Sequence, residues 1–407
     1  MRPGLSRLLF LSGSLLVLAS TSFAQTQPPT STTVAVKKTP SPSAPDYSNE
    51  ASVIEQARTS FKFENDGSGD EIQYAKVRIQ STQALQAFGQ LVFTYSAASD
   101  KISADFVRVL KSDGQVVTAG PDAVQDLSLP VERVAPMYTD IRQMHITVPS
   151  LNVGDTLEYQ IHSVTVHPLV PGQFFTQWNA SKQIITLDET FDVNLPRARQ
   201  LHVKTSNGVA APTIQDQGDR RIYTWRSSFT KRPADSSEDD KKKKDKEPEL
   251  PDVQISTFAN WQQLGEWYAD LQKPRAAVSD PVRAKADELV KGLSSPDEKA
   301  KAIYDYVSKN IRYVSLSFGL GRYQPHSAAD VLSNQYGDCK DKATLFEALL
   351  AAENIESYPV LINFERKIDP DMPSPGQFNH LINIVVLDGK IHWADTTPGV
   401  APFGFLL

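Results

Sequence analysis

Twenty residues, PADSSEDDKKKKDKEPELPD from Pro233 to Asp252, limit what this chain can fold into more than any other stretch. They are almost all charge and proline. Like-charge blocks repel and stay extended, so the stretch reads as a solvated linker, and no single core can run through it. The sequence changes period across this break, with strand signals before it and helix signals after it. Two domains are therefore expected, Ala51 to Arg232 and Ile255 to Leu407, joined by a linker over 233–254.

In the first domain EIQYAKVRIQ alternates, and KISADFVRVLKSDGQVVTAG reads as a hairpin turning at Ser112-Asp113-Gly114. HITVPSLNVGDTLEYQIHSVTV reads as a second pair joined through Asn152 to Asp155, and FDVNLP, LHVKTSNG and RRIYTWRSS are further strands. Short strands at regular spacing, separated by Gly, Asn and Asp turns, predict an all-β, sandwich-like domain.

In the second domain WQQLGEWYADLQK has helical periodicity and stops before Pro274, and SDPVRAKADELVKGL opens with cap residues and an early proline. SSPDEKAKAIYDYVSKNIRY places Ser295 and Glu298 at capping-box spacing, with Ile303, Tyr306, Val307 and Ile311 on one face. A strand YVSLSF follows, then a helix from Cys339. The chain closes with three strand candidates, SYPVLINFER, FNHLINIVVL and KIHWADTT. Helices first and an antiparallel sheet last make an α+β domain.

The N-terminus, MRPGLSRLLFLSGSLLVLASTSFAQTQ, carries Arg2 and Arg7 ahead of an apolar run from Leu8 to Leu18, with Ser22 and Ala24 before Gln25. This is the pattern of a secretory signal peptide over 1–24, and the run is shorter than the ~20 residues a membrane span needs. The mature chain is expected in the periplasm or secreted, with no membrane span and, lacking a cysteine at its start, no lipid anchor. Residues 25–50, rich in Pro, Ser and Thr, read as a disordered tether. A net charge of −6 gives no reason to expect nucleic acid or anionic lipid as a partner.

Only one cysteine occurs in the chain, Cys339 in YGDCKDKATLFEALL. With no partner for a disulfide it is either incidental or chemical. A thiol attacks a carbonyl as thiolate, and it needs a base and a group to orient that base. Both can come from the last two strands. With Asp388-Gly389 as a two-residue turn, Leu387 faces Lys390, and His380 and Asp395 become diagonal neighbours on one face, with Cβ atoms ~7 Å or less apart. His392 has the opposite parity. Asp338 is the expected N-cap of the helix, which puts Cys339 in the first turn, where unpaired N–H groups favour an anion. Lys340 and Lys342 would favour the thiolate, and Asp338 and Asp341 would oppose it. Ala343, Leu345, Phe346, Leu349 and Leu350 are expected to bind the helix to the core.

YGDCKDKATLFEALL, FNHLINIVV and WADTTPG together resemble the active-site segments of the transglutaminase-like superfamily, whose core is related to papain-type cysteine proteases. The resemblance runs from about Phe258 to the end. It implies a nucleophile, base and orienter at Cys339, His380 and Asp395. The region around SLNVGDTLEYQI resembles an uncharacterised β domain often found ahead of such cores in exported bacterial proteins. The resemblance implies a fold and a triad and much less about substrate; the reading it supports is a thiol acyl-transfer enzyme that cleaves or transfers an amide or peptide bond through a thioester, as a peptidase or amidase. Two alternatives stay open: an amine-accepting transglutaminase, and a non-catalytic envelope binding module on the same scaffold. Protein or peptide is the expected substrate, and no organic cofactor is implied. Related proteins often continue into further β structure, so a core that goes on beyond Leu407 is also an expectation.

Other readings carry less. Zinc sites use tight local pairs such as CxxC or HxxxH, and none occurs, so no metal is expected. GLGRYQPHSAADVLSNQ has glycines but no GKS or GKT, which weighs against a phosphate loop. Gln324, Tyr323 and His326 are candidates to line the cleft. Trp178, Trp225, Trp261 and Trp267 read as core or interface residues, and Trp393 as sheet packing or as a shield for Asp395.

Overall fold

The computed structural model describes residues 46–128, 141–232, 250–314 and 323–406. The signal peptide, most of the tether and most of the linker lie outside these residues. The first domain runs β1 (Ser52–Phe63), β2 (Gly69–Ile79), α1 (Thr82–Phe88), β3 (Gln90–Ser96), β4 (Asp100–Leu110), β5 (Val116–Thr118) and β6 (Val124–Ser128). It continues with β7 (Ile141–Thr147), β8 (Thr156–Thr165), β9 (Phe175–Trp178), β10 (Ile185–Pro196), β11 (His202–Thr205), β12 (Thr213–Gln217), β13 (Arg220–Phe229) and β14 (Val253–Ser256).

Eight strands form one sheet in the order β12-β13-β10-β1-β2-β8-β4-β5, and two three-stranded sheets, β3-β7-β6 and β11-β14-β9, lie against it. One core, with Val77, Val109, Leu157, Ile146 and Phe88, fills the space under the first small sheet and α1. The other, with Phe63, Phe191, Trp225, Val253 and Ile255, lies under the second, where Trp178 stacks on Phe191 at 5.3 Å. This is a sandwich-like β domain in which one large sheet is faced by two small ones.

Two local expectations need correction. β7 and β8 do not form a hairpin: β7 pairs with β3 and β6, while β8 pairs with β2 and β4. Their connection crosses between sheets, burying Val148 and Leu151 on the way and fixing the turn through Asp155, whose carboxylate accepts from Asn152 N–H at 2.8 Å. Residues 253 and 254, given to the linker by composition, are buried in β14. Four residues are too few for alternation to show, and the partners of β14 come from 75–81 and 48–54 residues earlier in the chain.

The second domain contains α2 (Trp261–Gln272), α3 (Asp280–Leu289), α4 (Pro296–Asn310), β15 (Arg312–Tyr313), α5 (Ala328–Asn334), β16 (Tyr336–Gly337) and α6 (Cys339–Ala352). It ends with β17 (Glu356–Ile362), β18 (His380–Leu387) and β19 (Lys390–Ala394), which form an antiparallel sheet in that order. The predicted strand 313–318 falls mostly outside the described residues. The α4 capping box is present, with Ser295 and Glu298 bonded reciprocally. Helix α6 is central: Leu345, Phe346, Leu349 and Leu350 are fully buried among α3, α4, α5 and the sheet. Each such side chain contributes about 1.5–3 kcal/mol, enough to hold the helix start in place. No helix among the described residues is long and apolar enough to cross a membrane.

The two domains meet along residues 369–378, which lead into β18. Gln177 of β9 donates to Gly376 O at 2.8 Å, Ser256 of β14 donates to Pro373 O at 2.5 Å, and Lys204 of β11 pairs with Asp369. On the other side of the same segment, the Trp261 indole donates to Pro370 O at 2.7 Å.

Candidate active site

The start of α6 is built around two buried carboxylates. Asp338, the N-cap, accepts from the backbone N–H of Lys340 and Asp341 at 3.1 and 3.2 Å, and Asp341 reaches back to Asp338 N–H at 3.3 Å. This reciprocal cap satisfies donors that a buried helix end would otherwise leave empty. His326 supports it, donating its N–H to Asp341 at 2.8 Å with its ring Nδ1 3.2 Å away. Gly337 is required here, because a Cβ on it would fall 2.5 Å from that of Asp341.

Asp338 and Asp341 are fully buried, and such charges need partners. The Lys340 ammonium pairs with Asp338. Burial pushes Asp338 up to about 6, with Lys340 pulling the other way. For Lys340 burial disfavours the charge, but the two carboxylates outweigh it and raise the pKa. Lys342, also buried, donates to Ile311 O and Ser308 O at 2.9 and 3.2 Å, closing the end of α4, and burial lowers it to about 8. The charges around Cys339 are thus engaged with one another and with backbone, and Lys340 also interacts with the charge of Cys339.

Cys339 is the first residue of α6 and is partly exposed. It packs against the cluster of Tyr268, Tyr323, Ala343 and Leu381. Its own N–H has no acceptor among the described residues.

The hairpin brings the other two residues together. The turn has Asp388 and Gly389 at φ 50° and 73°, which suits a tight right-twisted hairpin, and Leu387 pairs with Lys390. His380 Nε2 lies 2.9 Å from Asp395 Oδ2. Asp395 is held in turn by Thr397 N–H at 2.8 Å, and its backbone carbonyl accepts from the Tyr304 hydroxyl at 2.8 Å. Cys339 lies near enough to the His380 ring to act on its charge. Burial works against the imidazolium, but Asp395 and Cys339 outweigh it and push His380 up to about 10. Burial raises Asp395, and the His380 and Thr397 bonds more than reverse this, leaving it below the usual carboxylate range. The imidazole thereby bonds the carboxylate and stands within electrostatic reach of the sulfur.

Of the remaining candidates, Tyr323 stays in the cluster beside Cys339, and the others take different places. His392 stacks on Phe403 at 6.1 Å, away from this arrangement. Trp393 is 45% exposed. Tyr323 is buried beside Trp267 and donates to Pro375 O at 2.9 Å, while His326 braces Asp341. Residues not singled out in the sequence also matter. The Tyr268 hydroxyl is buried beside the cysteine with no hydrogen-bond partner among the described residues, and burial first, then the neighbouring Cys339 and carboxylate charges, raise its pKa well above the usual value. Glu347 accepts from Gln272 at 2.6 Å, and burial raises it to about 7. A lone acid in the apolar run LFEALLAA was the signal for it. Among the described residues no group of three or more His, Cys, Asp or Glu side chains is placed to hold a metal ion.

A cysteine at a helix start, with a histidine at the start of one strand and an aspartate just after the next in an antiparallel sheet packed against that helix, fits the papain-like class of fold. Residues 283–393 match the transglutaminase-like superfamily, and residues 65–233 match DUF3857, a domain of unknown function. The chain carries a DUF3857 domain followed by a transglutaminase-like domain. Among solved structures, a candidate protease from Parabacteroides distasonis aligns with a TM-score of 0.73 at 16% identity, covering 86% of this chain and 68% of that one. A candidate cysteine protease from Cytophaga hutchinsonii, at 16% identity over 55% of this chain and 71% of that one, gives a TM-score of only 0.26. An M1 zinc metallopeptidase from Deinococcus radiodurans, at 10% identity over 51% and 42%, gives 0.28. Only the first of these three informs the fold. No curated protein matches the sequence.

Proposed function

We propose that this protein is an exported thiol acyl-transfer enzyme that hydrolyses amide or peptide bonds through Cys339, His380 and Asp395. The observation that carries the reading is the His380 ring, hydrogen-bonded to Asp395 and near enough to Cys339 for the sulfur to act on its charge. His380 takes the thiol proton, and Asp395 fixes the ring orientation and stabilises the imidazolium. The sulfur bonds to the substrate carbonyl carbon, and the charge that develops on oxygen meets the N–H of Cys339 at the start of α6. The C–N bond then breaks as His380 returns the proton to the leaving amine. Water, deprotonated by His380, cleaves the thioester and frees the thiol. An amine in place of water would make the same steps a transglutamination. The signal sequence over 1–24 supports export.

The test is the rate of Cys339 alkylation by iodoacetamide between pH 5 and 9. Ordinary thiols react mainly above about pH 8, as thiolate forms. The expected result is rapid reaction at pH 6 that His380→Ala slows by about 100-fold or more, the range of a positioned base. A wild-type profile that His380→Ala leaves unchanged would overturn the reading. Mass spectrometry of envelope peptides, with and without Cys339→Ser, then identifies the bond cleaved.

A further inference from the structure

The chain that follows β17 forms an open hollow of about 480 Å³, lined by residues 361–368. Its near wall adjoins the catalytic groups. Ile362 pairs with His380, the Phe364 ring stands edge-on to the His380 ring at 5.8 Å, and Leu361 packs on the cluster that holds Cys339. Phe364 is 62% exposed, so this wall presents an aromatic surface to solvent.

Arg366 lines the same hollow, and its guanidinium has no hydrogen-bond or ion-pair partner among the described residues. Its Nη1 is buried without a partner. Burial lowers its pKa, and the charges of Glu365 and Asp369 offset this only in part. Neither carboxylate bonds to it: Glu365 is exposed, and Asp369 is paired with Lys204. Elsewhere in this domain the buried cations are engaged, Lys340 with Asp338 and Lys342 with two carbonyls. A half-buried guanidinium with empty donors is unfavourable alone, and its planar fork suits a carboxylate. Arg366 follows Ile362 by four residues, so it lies within about 13 Å of the residue paired with His380, a distance that a few residues of extended peptide span.

We propose that the Arg366 hollow binds a carboxylate of the substrate peptide, and so makes this site selective for acyl donors that carry an anionic group near the cleaved bond. The inference rests on the catalytic reading above. Both a C-terminal α-carboxylate and an acidic side chain have this chemistry. The hollow opens beside the imidazole, so it serves substrate more directly than it could serve a distant partner.

The experiment uses the full chain and three peptides as competitors of iodoacetamide at Cys339: acetyl-tetraalanine as the free acid, its C-terminal amide, and the amide with one alanine replaced by glutamate. The expected result is that at least one carboxylate peptide half-protects the thiol at about tenfold lower concentration than the neutral amide, as one charge-assisted hydrogen-bonded pair would give. Protection by the free acid alone identifies an α-carboxylate, and protection by the glutamate peptide identifies a side chain. Arg366→Met should abolish the preference without lowering the melting temperature, and Arg366→Lys should keep part of it. Equal protection by all three peptides, a preference that survives Arg366→Met, or unfolding of that variant would each overturn the proposal. The iodoacetamide rate of His380→Ala without peptide reports on the catalytic reading separately.

Discussion

The β1–β2 ladder and the first turn of α6 use charge in opposite ways. On the ladder, Glu55 lies 3.0 Å from both Lys76 and Arg78, and all three side chains remain partly in water. At the start of α6, Asp338, Lys340, Asp341 and Lys342 are all buried within five residues. The β domain is held by apolar layers between sheets, and its surface charges are interchangeable with water. The helix start gives up hydration of four ionisable groups, a cost that well-packed apolar side chains would avoid. In return, one backbone turn is fixed from every direction, and that turn carries the sulfur.

The sharpest way to break this contrast is at Asp395, the carboxylate proposed to orient the base. Asp395→Asn should leave the fold intact and reduce turnover by about 10⁴-fold, the scale seen when a catalytic histidine loses its orienting acid. An activity within tenfold of wild type would remove Asp395 from the mechanism. Next comes Asp338→Asn, which keeps a capping oxygen but leaves Lys340 buried without its counter-charge. Denaturant unfolding should show a loss of about 3–5 kcal/mol. A loss under about 1 kcal/mol would mean the turn is no more demanding than the surface ladder.

Glu347 sharpens the comparison through pH. Its folded pKa, about 7, lies above the ordinary value of 4.5, so the fold favours the protonated acid. The penalty is absent below about pH 4.5, grows as pH rises toward 7 and is full above it. Glu347→Gln should therefore stabilise the protein on the order of 3 kcal/mol at pH 8, at 1.36 kcal/mol per pKa unit, and change little at pH 4. Equal effects at the two pH values would rule out burial as the cause. The smallest effect is expected on the ladder itself: Glu55→Gln should cost under about 1 kcal/mol, and less in high salt.

The sequence made the local chemistry legible. A Gly with positive φ in a two-residue turn sets strand register without reference to the rest of the fold, so the approach of His380 to Asp395 followed from counting. The caps at Ser295 and Asp338 were readable for the same reason, as each depends on residues three apart. What stayed hidden depends on long-range contact. The short strands β9 and β14 exist only because each completes a sheet with distant partners, and β7 and β8 looked like a hairpin because nothing local records that they enter different sheets. The partners of Lys340 and Lys342 stayed hidden for a related reason, since nothing local records that one is buried against Asp338 and the other against two carbonyls of α4 and the residue after it.

The seam through residues 369–378 bears on how this protein can be divided. Gln177, Lys204 and Ser256 grip the stretch just ahead of His380 from the β side, and two of these three precede the charged linker in the chain. A fragment cut at the linker would keep the nucleophile and its helix yet lose most of the clamp that steadies the base. The smallest fragment able to carry the proposed activity would accordingly need both modules, with the front one as a chassis for the other's chemistry.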